Sequence, residues 1–193
     1  MKRLVEWFMR LDFRKAIWIA PLVWTLHEAE EWNIVYFGRK HFADPGYFSE
    51  IDQPVVWIGL GLVALTGILW TCLTAWPQNP KFAAFLTLPF FVCFSFGNAL
   101  QHIYYSIFFR DYNPGIATAV LMVSPVVIGL TIKAIHGRLT PLWYTAILYL
   151  LTIPSMVVTV RALNHTPPQI PPNIQSVHKN AIPVARFILG RHD

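Results

Sequence analysis

The chain has 193 residues, of which 55% are hydrophobic and only 13% are charged, and its net charge is +5. A typical soluble domain has about 25% charged residues, and a soluble particle of this size cannot bury so much apolar surface. This composition excludes a disordered chain and a disulfide scaffold, and the basic residues lie at predicted helix ends rather than in a nucleic-acid-binding patch. The sequence therefore predicts an all-α, polytopic bundle of transmembrane helices.

Five apolar segments of about 20 residues are each long enough to cross a bilayer. They cover residues 16–37, 54–76, 82–109, 115–135 and 141–160. Prolines near the starts of three segments fit the first turn of a helix, and Pro89 inside the third segment predicts a kink. Residues 1–163 are thus predicted to form a transmembrane domain of five helices.

The tail, residues 164–193, is polar and rich in proline, and we expect it to be disordered or to lie on the membrane surface. The segment before the first span is basic, with Lys2, Arg3, Arg10, Arg14 and Lys15. Cytoplasmic loops carry an excess of Lys and Arg. The sequence therefore predicts an integral membrane protein with a cytoplasmic N-terminus and a tail on the opposite side.

The first segment contains a run of ionisable residues that does not belong in a bilayer, His27-Glu28-Ala29-Glu30-Glu31. Each charge at the centre of a span costs a few kcal/mol, so several in succession require compensation. At about 100° per residue, Glu30 and Glu31 lie within about 60° of His27 on one helix face. Glu28 only flanks this face.

The third segment carries a second polar triplet, Asn98, Gln101 and His102. Its i, i+3, i+4 spacing places the three side chains on one helix face. The first and third segments cross the membrane in the same direction, and at 1.5 Å per residue both triplets lie roughly 10–15 Å from the same surface. We therefore expect the two triplets to face each other at one depth.

The fourth segment begins on that same side of the membrane. Pro114-Gly115 opens the helix and Thr118 follows one turn later, so the free backbone N–H groups of the helix start point toward the same leaflet. A substrate with an anionic or carbonyl oxygen would fit this helix start. We therefore predict that Pro114, Gly115 and Thr118, together with Gln101, bind substrate.

Three short motifs resemble those of the HXXEE-motif family of integral membrane proteins. The patterns H-x-x-E-E, N-x-x-x-H and P-G-x-x-T occur in that order at residues 27–31, 98–102 and 114–118. The resemblance implies a membrane protein and specifies no reaction. The architecture also bears a fainter resemblance to five-span sterol isomerases of the emopamil-binding type, which place His and Glu in apolar helices for acid–base chemistry.

Four of these residues form a ligand set for a divalent metal. His27, Glu30, Glu31 and His102 offer two imidazoles and two carboxylates, which suit Zn, Fe or Mn. Asn98 completes the predicted catalytic residues, since it can orient a ligand. The same residues also allow metal-free acid–base catalysis, because adjacent buried carboxylates acquire different proton affinities.

These observations predict a membrane-embedded, metal-dependent enzyme, either a hydrolase or a lipid-modifying enzyme. Its predicted partners are an apolar, lipid-like substrate and the bilayer itself. A metal-free lipid isomerase or cyclase is the first alternative. A small proton- or cation-coupled transporter, or an ion-binding membrane protein, is the alternative from another class. A transporter requires a polar path to both membrane surfaces, whereas residues 17–23 and 86–94, in the inner halves of the first and third segments, are mainly apolar. The remaining interpretation is that these polar residues only hold the helices together through hydrogen bonds.

Overall fold

The computed structural model describes residues 2–42 and 53–190, and within these ranges the chain is helical with no β-strand. The all-α fold class is therefore confirmed. The helices are α1 (Lys2–Arg10), α2 (Ile19–Glu30), α3 (Ile34–His41), α4 (Gln53–Ala75), α5 (Pro80–Phe109), α6 (Ile116–His136), α7 (Leu142–Leu163) and α8 (Pro172–Ile188). One short helical turn, Phe13–Ala16, precedes α2, and a 3-10 turn, Glu31–Asn33, joins α2 to α3.

Helices α4 to α7 are long and apolar enough to cross a membrane, and they match the second to fifth predicted segments. The first predicted segment, 16–37, is instead broken by the 3-10 turn, and its acidic run lowers its hydropathy. At this break the carbonyl of Trp32 accepts a hydrogen bond from the Trp57 ring N–H over 3.0 Å, which replaces a helical partner. The described residues thus contain four helices that are long and apolar enough to cross a membrane and one broken helix.

Helix α5 changes its winding at Pro89, where the sequence predicts a kink. The residues that follow, Phe90–Phe96, form π-helical turns before the α-helix resumes. Pro89 has no N–H to donate to the carbonyl of Phe85, and the Tyr144 hydroxyl donates to that carbonyl instead over 2.6 Å. The π-helical turns end next to Asn98, so they set the direction of the polar face of α5.

The core that surrounds the polar triplets is apolar and closely packed. Its fully buried side chains include Ile17, Trp24, Leu88, Phe91 and Leu130. Helix α2 packs against α4 and α6 within this core. Since lipid tails are as apolar as these side chains, close packing and interhelical hydrogen bonds hold such helices together.

The described part of the tail forms helix α8, which folds back against α4. Ile174, Ile182 and Ala185 recur at helical spacing and place apolar atoms on one side of this helix. The polar, Pro-rich composition predicts a disordered or surface-bound tail. In the structure the described part of the tail is helical and contributes to the cavity described below.

Candidate metal centre

Three buried side chains meet where α2 and α5 approach each other. Glu31 Oε1 lies 3.0 Å from His27 Nε2 and 3.0 Å from His102 Nε2. One ligand atom from each residue lies within 4.8 Å of the other two. Zn–N and Zn–O bonds of about 2.0–2.1 Å place neighbouring ligands of a tetrahedral ion about 3.3 Å apart, so this spacing fits one metal ion. We refer to His27, Glu31 and His102 as the cluster.

The local fold explains why these three side chains converge. His27 and Glu31 are four residues apart on consecutive turns, so both point to the same side of α2. His102 lies in the regular helical turns that follow the π-helical part of α5. The exposed fractions of the three residues are 0%, 7% and 4%, so the cluster is shielded from solvent. Of the two predicted triplets, His27 and Glu31 therefore meet Asn98 and His102, whereas Glu30 lies apart.

A chain of hydrogen bonds fixes the orientation of His27. Its Nδ1 lies 2.8 Å from Thr118 Oγ1, and the Thr118 hydroxyl donates its single proton to Glu30 Oε2 over 2.6 Å. The Thr118 oxygen then accepts a hydrogen bond from His27 Nδ1–H. Histidines that bind metals usually donate their second ring N–H to an oxygen in this way. The arrangement directs His27 Nε2 toward the cluster.

Two oxygens face His27 Nε2. Asn98 Oδ1 lies at 2.7 Å and Glu31 Oε1 lies at 3.0 Å, and both oxygens are hydrogen-bond acceptors. A cation at this position satisfies both oxygens, either as a proton on Nε2 or as a metal ion. The positions of these two oxygens are therefore compatible with metal binding and with proton chemistry.

Asn113 holds His102 from the opposite side. Its side-chain nitrogen lies 2.9 Å from His102 Nδ1, and the residue is fully buried. A side-chain amide can donate or accept at this point by turning over, so it can support either tautomer of the ring. Sequence reasoning missed Asn113, although its position directly before Pro114-Gly115 is typical of a residue at a helix start.

Gly115 packs directly against both imidazoles. Its φ of +96° is unfavourable for other residues, and an added Cβ would lie 2.8 Å from the His102 ring and 2.9 Å from His27 Cε1. Pro114 is buried beside it. Both were predicted to bind substrate, but neither is among the described residues that line the cavity, and Gly115 packs against the imidazole rings instead.

Glu30, which the sequence predicts as a metal ligand, lies apart from the cluster at the start of α6. Its carboxylate accepts hydrogen bonds from the backbone N–H groups of Ala117 and Thr118, over 3.1 and 2.7 Å, and from the hydroxyls of Thr118 and Tyr112. The bond to Glu30 raises the pKa of Tyr112 to about 12. Glu30 therefore caps α6, where a negative charge is stabilised by the helix dipole.

A cavity of about 270 Å³ lies beside the cluster. Its polar wall comes from α2 and α5 and consists of Glu28, Glu31, Asn98, Gln101 and His102. Its apolar wall includes Val56, Gly59, Leu60 and Val63 of α4, Phe94 of α5, and Ile174 and Ile182 of the tail. Gln101 also donates to Ser155 Oγ and Thr159 Oγ1 over 3.1 and 3.0 Å, so it ties α5 to α7.

A second polar group lies at the surface where α3 and α5 end. Asp111 Oδ2 is 2.6 Å from Lys40 Nζ and 2.8 Å from His41 Nε2. Their hydrogen bonds lower the pKa of Asp111 to about 2, and Asp111 in turn raises the pKa of Lys40. Ion pairs between partly exposed side chains such as these contribute little to stability.

The comparisons with known proteins agree with the three motifs. A family described as "Protein of unknown function with HXXEE motif" matches residues 18–130, which include the whole cluster. No curated protein and no solved structure matches the chain, so the fainter resemblance to emopamil-binding-type isomerases gains no support. The match covers more than half of the chain, and the protein therefore belongs to the HXXEE-motif family.

Proposed function

We propose that this protein is a membrane-embedded, metal-dependent enzyme that acts on an apolar, lipid-like substrate. The supporting observation is that His27, Glu31 and His102 place three ligand atoms within 4.8 Å of one another at the wall of an apolar cavity. Three protein ligands leave further coordination positions open, which is typical of catalytic metal sites rather than structural ones. Two imidazoles and one carboxylate suit Zn, Fe(II) or Mn.

The residues of this chain would hold and orient the reacting groups. Thr118 fixes the His27 ring, Glu31 contributes the negative charge, and Asn98 faces both the cluster and the cavity. A bound metal would supply a Lewis acid that polarises a substrate oxygen or activates water. This chemistry fits a hydrolase or a lipid-modifying enzyme.

The walls of the cavity support a substrate from the bilayer. A charged metabolite would have to shed its hydration to enter a space lined mainly by apolar side chains, whereas a lipid loses little. The four spanning helices place the protein in a membrane. From the basic residues before α2, we propose that the N-terminus is cytoplasmic and that the tail lies on the opposite side.

One observation also favours a metal-free lipid isomerase or cyclase. A proton on His27 Nε2 satisfies Asn98 Oδ1 and Glu31 Oε1, so the pair is complete as an acid–base couple. Transport is favoured less, because buried apolar side chains such as Ile17, Leu88 and Phe91 pack the opposite half of the described bundle.

Elemental mass spectrometry tests the metal proposal. The protein would be purified in mild detergent without chelators, incubated with Zn²⁺, Fe²⁺ or Mn²⁺, and freed of unbound metal. We expect close to one ion per chain, and its loss in His27→Ala, Glu31→Gln and His102→Ala. The matched control is His41→Ala, which removes an imidazole outside the cluster and should retain the ion. Folded wild-type protein that binds none of these metals would contradict the proposal and favour the acid–base alternative.

A further inference from the structure

Glu28 is a buried carboxyl group that belongs neither to the cluster nor to the cap of α6. It is 6% exposed and lines the cavity. Glu30 and Glu31 each bind several donors, as described above. No described residue donates a hydrogen bond to Glu28 or forms an ion pair with it. Since Glu28 borders the cavity, a ligand bound there can supply the hydrogen-bond donor that the described residues do not provide.

The position of Glu28 relates that ligand to the cluster. Glu28 directly follows His27 on α2, and it shares the cavity wall with Glu31 and His102. A donor group bound to Glu28 therefore lies next to the cluster, while the rest of the ligand extends along the apolar wall formed by residues such as Leu60 and Phe94.

We propose that Glu28 accepts a hydrogen bond from the hydroxyl group of an otherwise apolar molecule, so that the substrate class is a lipid alcohol. This inference rests on the proposed function for the presence of a lipid-like occupant. A fatty acid would bring a carboxylate next to the Glu28 carboxyl group, and an ammonium lipid would have to shed a strongly bound hydration shell. A hydroxyl has a smaller desolvation penalty and supplies the donor that Glu28 lacks.

A pair of photoreactive probes tests this proposal in lipid nanodiscs. One probe is a dodecyl alcohol with a diazirine in its chain, and the other is its methyl ether, which has the same chain but no donor. Labelling of cavity peptides, quantified by mass spectrometry over a range of probe concentrations, gives an apparent Kd for each. We expect the alcohol to bind roughly tenfold more tightly than the ether, as one hydrogen bond allows.

The variant Glu28→Leu keeps the side-chain bulk and removes the acceptor, so the two probes should then bind equally. The matched control, Glu6→Leu, alters an exposed carboxylate of α1 and should leave the preference unchanged. Equal binding of both probes to wild-type protein overturns the inference without any variant. A preference for the alcohol that persists in Glu28→Leu overturns the assignment to Glu28.

The same samples separate this inference from the proposed function. Their metal content is measured in parallel, and Glu28→Leu should retain the metal because Glu28 lies outside the cluster. Alcohol preference without metal contradicts only the metal proposal. Metal binding with equal labelling by both probes contradicts only the alcohol inference. Absence of labelling by either probe contradicts a lipid-like occupant, and both proposals fail together.

Discussion

Glu30 and Glu31 are adjacent in the sequence, but their carboxylates lie in different surroundings. Glu30 is surrounded by N–H and O–H donors at the start of α6, whereas Glu31 lies between two imidazoles beside a cavity. A carboxylate whose acceptor positions are filled by donors has no position left for a cation. In this chain the H-x-x-E-E motif thus combines a carboxylate that caps α6, Glu30, with the carboxylate that we propose as a metal ligand, Glu31, and Thr118 contacts both Glu30 and His27.

The largest expected effect comes from Gly115, where the cap and the cluster meet. Gly115→Ala would combine a strained φ with contacts under 3.0 Å to both imidazoles, so we expect a loss of about 3 kcal/mol or more of stability. Thermal unfolding followed by circular dichroism measures this loss. Gly61→Ala is the control, because a Cβ there meets nothing within 4 Å, and its Tm should stay equal or rise. An unchanged Tm in Gly115→Ala would contradict the packing described here.

Thr118 tests the link between the two regions. Thr118→Val removes the hydroxyl that orients His27, and we expect a 10- to 100-fold loss of metal affinity, as is typical of residues that orient a metal ligand. Thr118→Ser retains the hydroxyl and should restore most of the affinity. Competition with a fluorescent metal chelator measures both. Equal affinity in Thr118→Val and wild type would show that His27 needs no such support.

Gly59 tests whether the cavity receives an apolar ligand. Gly59 lines the cavity and an added Cβ there meets nothing within 4 Å, so Gly59→Leu should fill the space without a clash. We expect labelling by the dodecyl probes to fall about tenfold, which corresponds to about 1.4 kcal/mol, with little change in Tm. The control is Gly61→Leu, which is exposed on the same helix and outside the cavity lining. Similar labelling of the two variants would place the ligand elsewhere.

The smallest effect concerns the surface ion pair of Asp111. The pKa of Asp111, about 2, lies below the value of about 3.9 for an Asp in an unfolded chain. The ion pair therefore makes its full contribution to the stability of the folded state above about pH 5, and this contribution is lost as the pH falls toward 2. The Tm difference between wild type and Asp111→Asn should therefore shrink over that range in metal-free protein. A difference that stays constant down to pH 2 would show that Asp111 is not held by Lys40 and His41.

Part of this architecture follows from the sequence. Continuous apolar runs identify α4 to α7, and helix geometry places His27 and His102 at one depth. Sequence reasoning cannot separate Glu30 from Glu31, because both lie near one helix face and only the position of α6 decides which carboxylate meets donors. Asn113 and Gly115 reach the imidazoles through a turn whose backbone conformation is specified only in three dimensions.

The central claim is most directly tested by measuring the metal content of Glu30→Gln and Glu31→Gln side by side, with Tm recorded for each metal-free protein. We predict that Glu30→Gln retains the ion but loses about 1 kcal/mol of stability with its helix cap. We predict that Glu31→Gln loses the ion. Equal metal retention by the two variants, or loss of the ion only in Glu30→Gln, would contradict the assignment of Glu31 as the ligand.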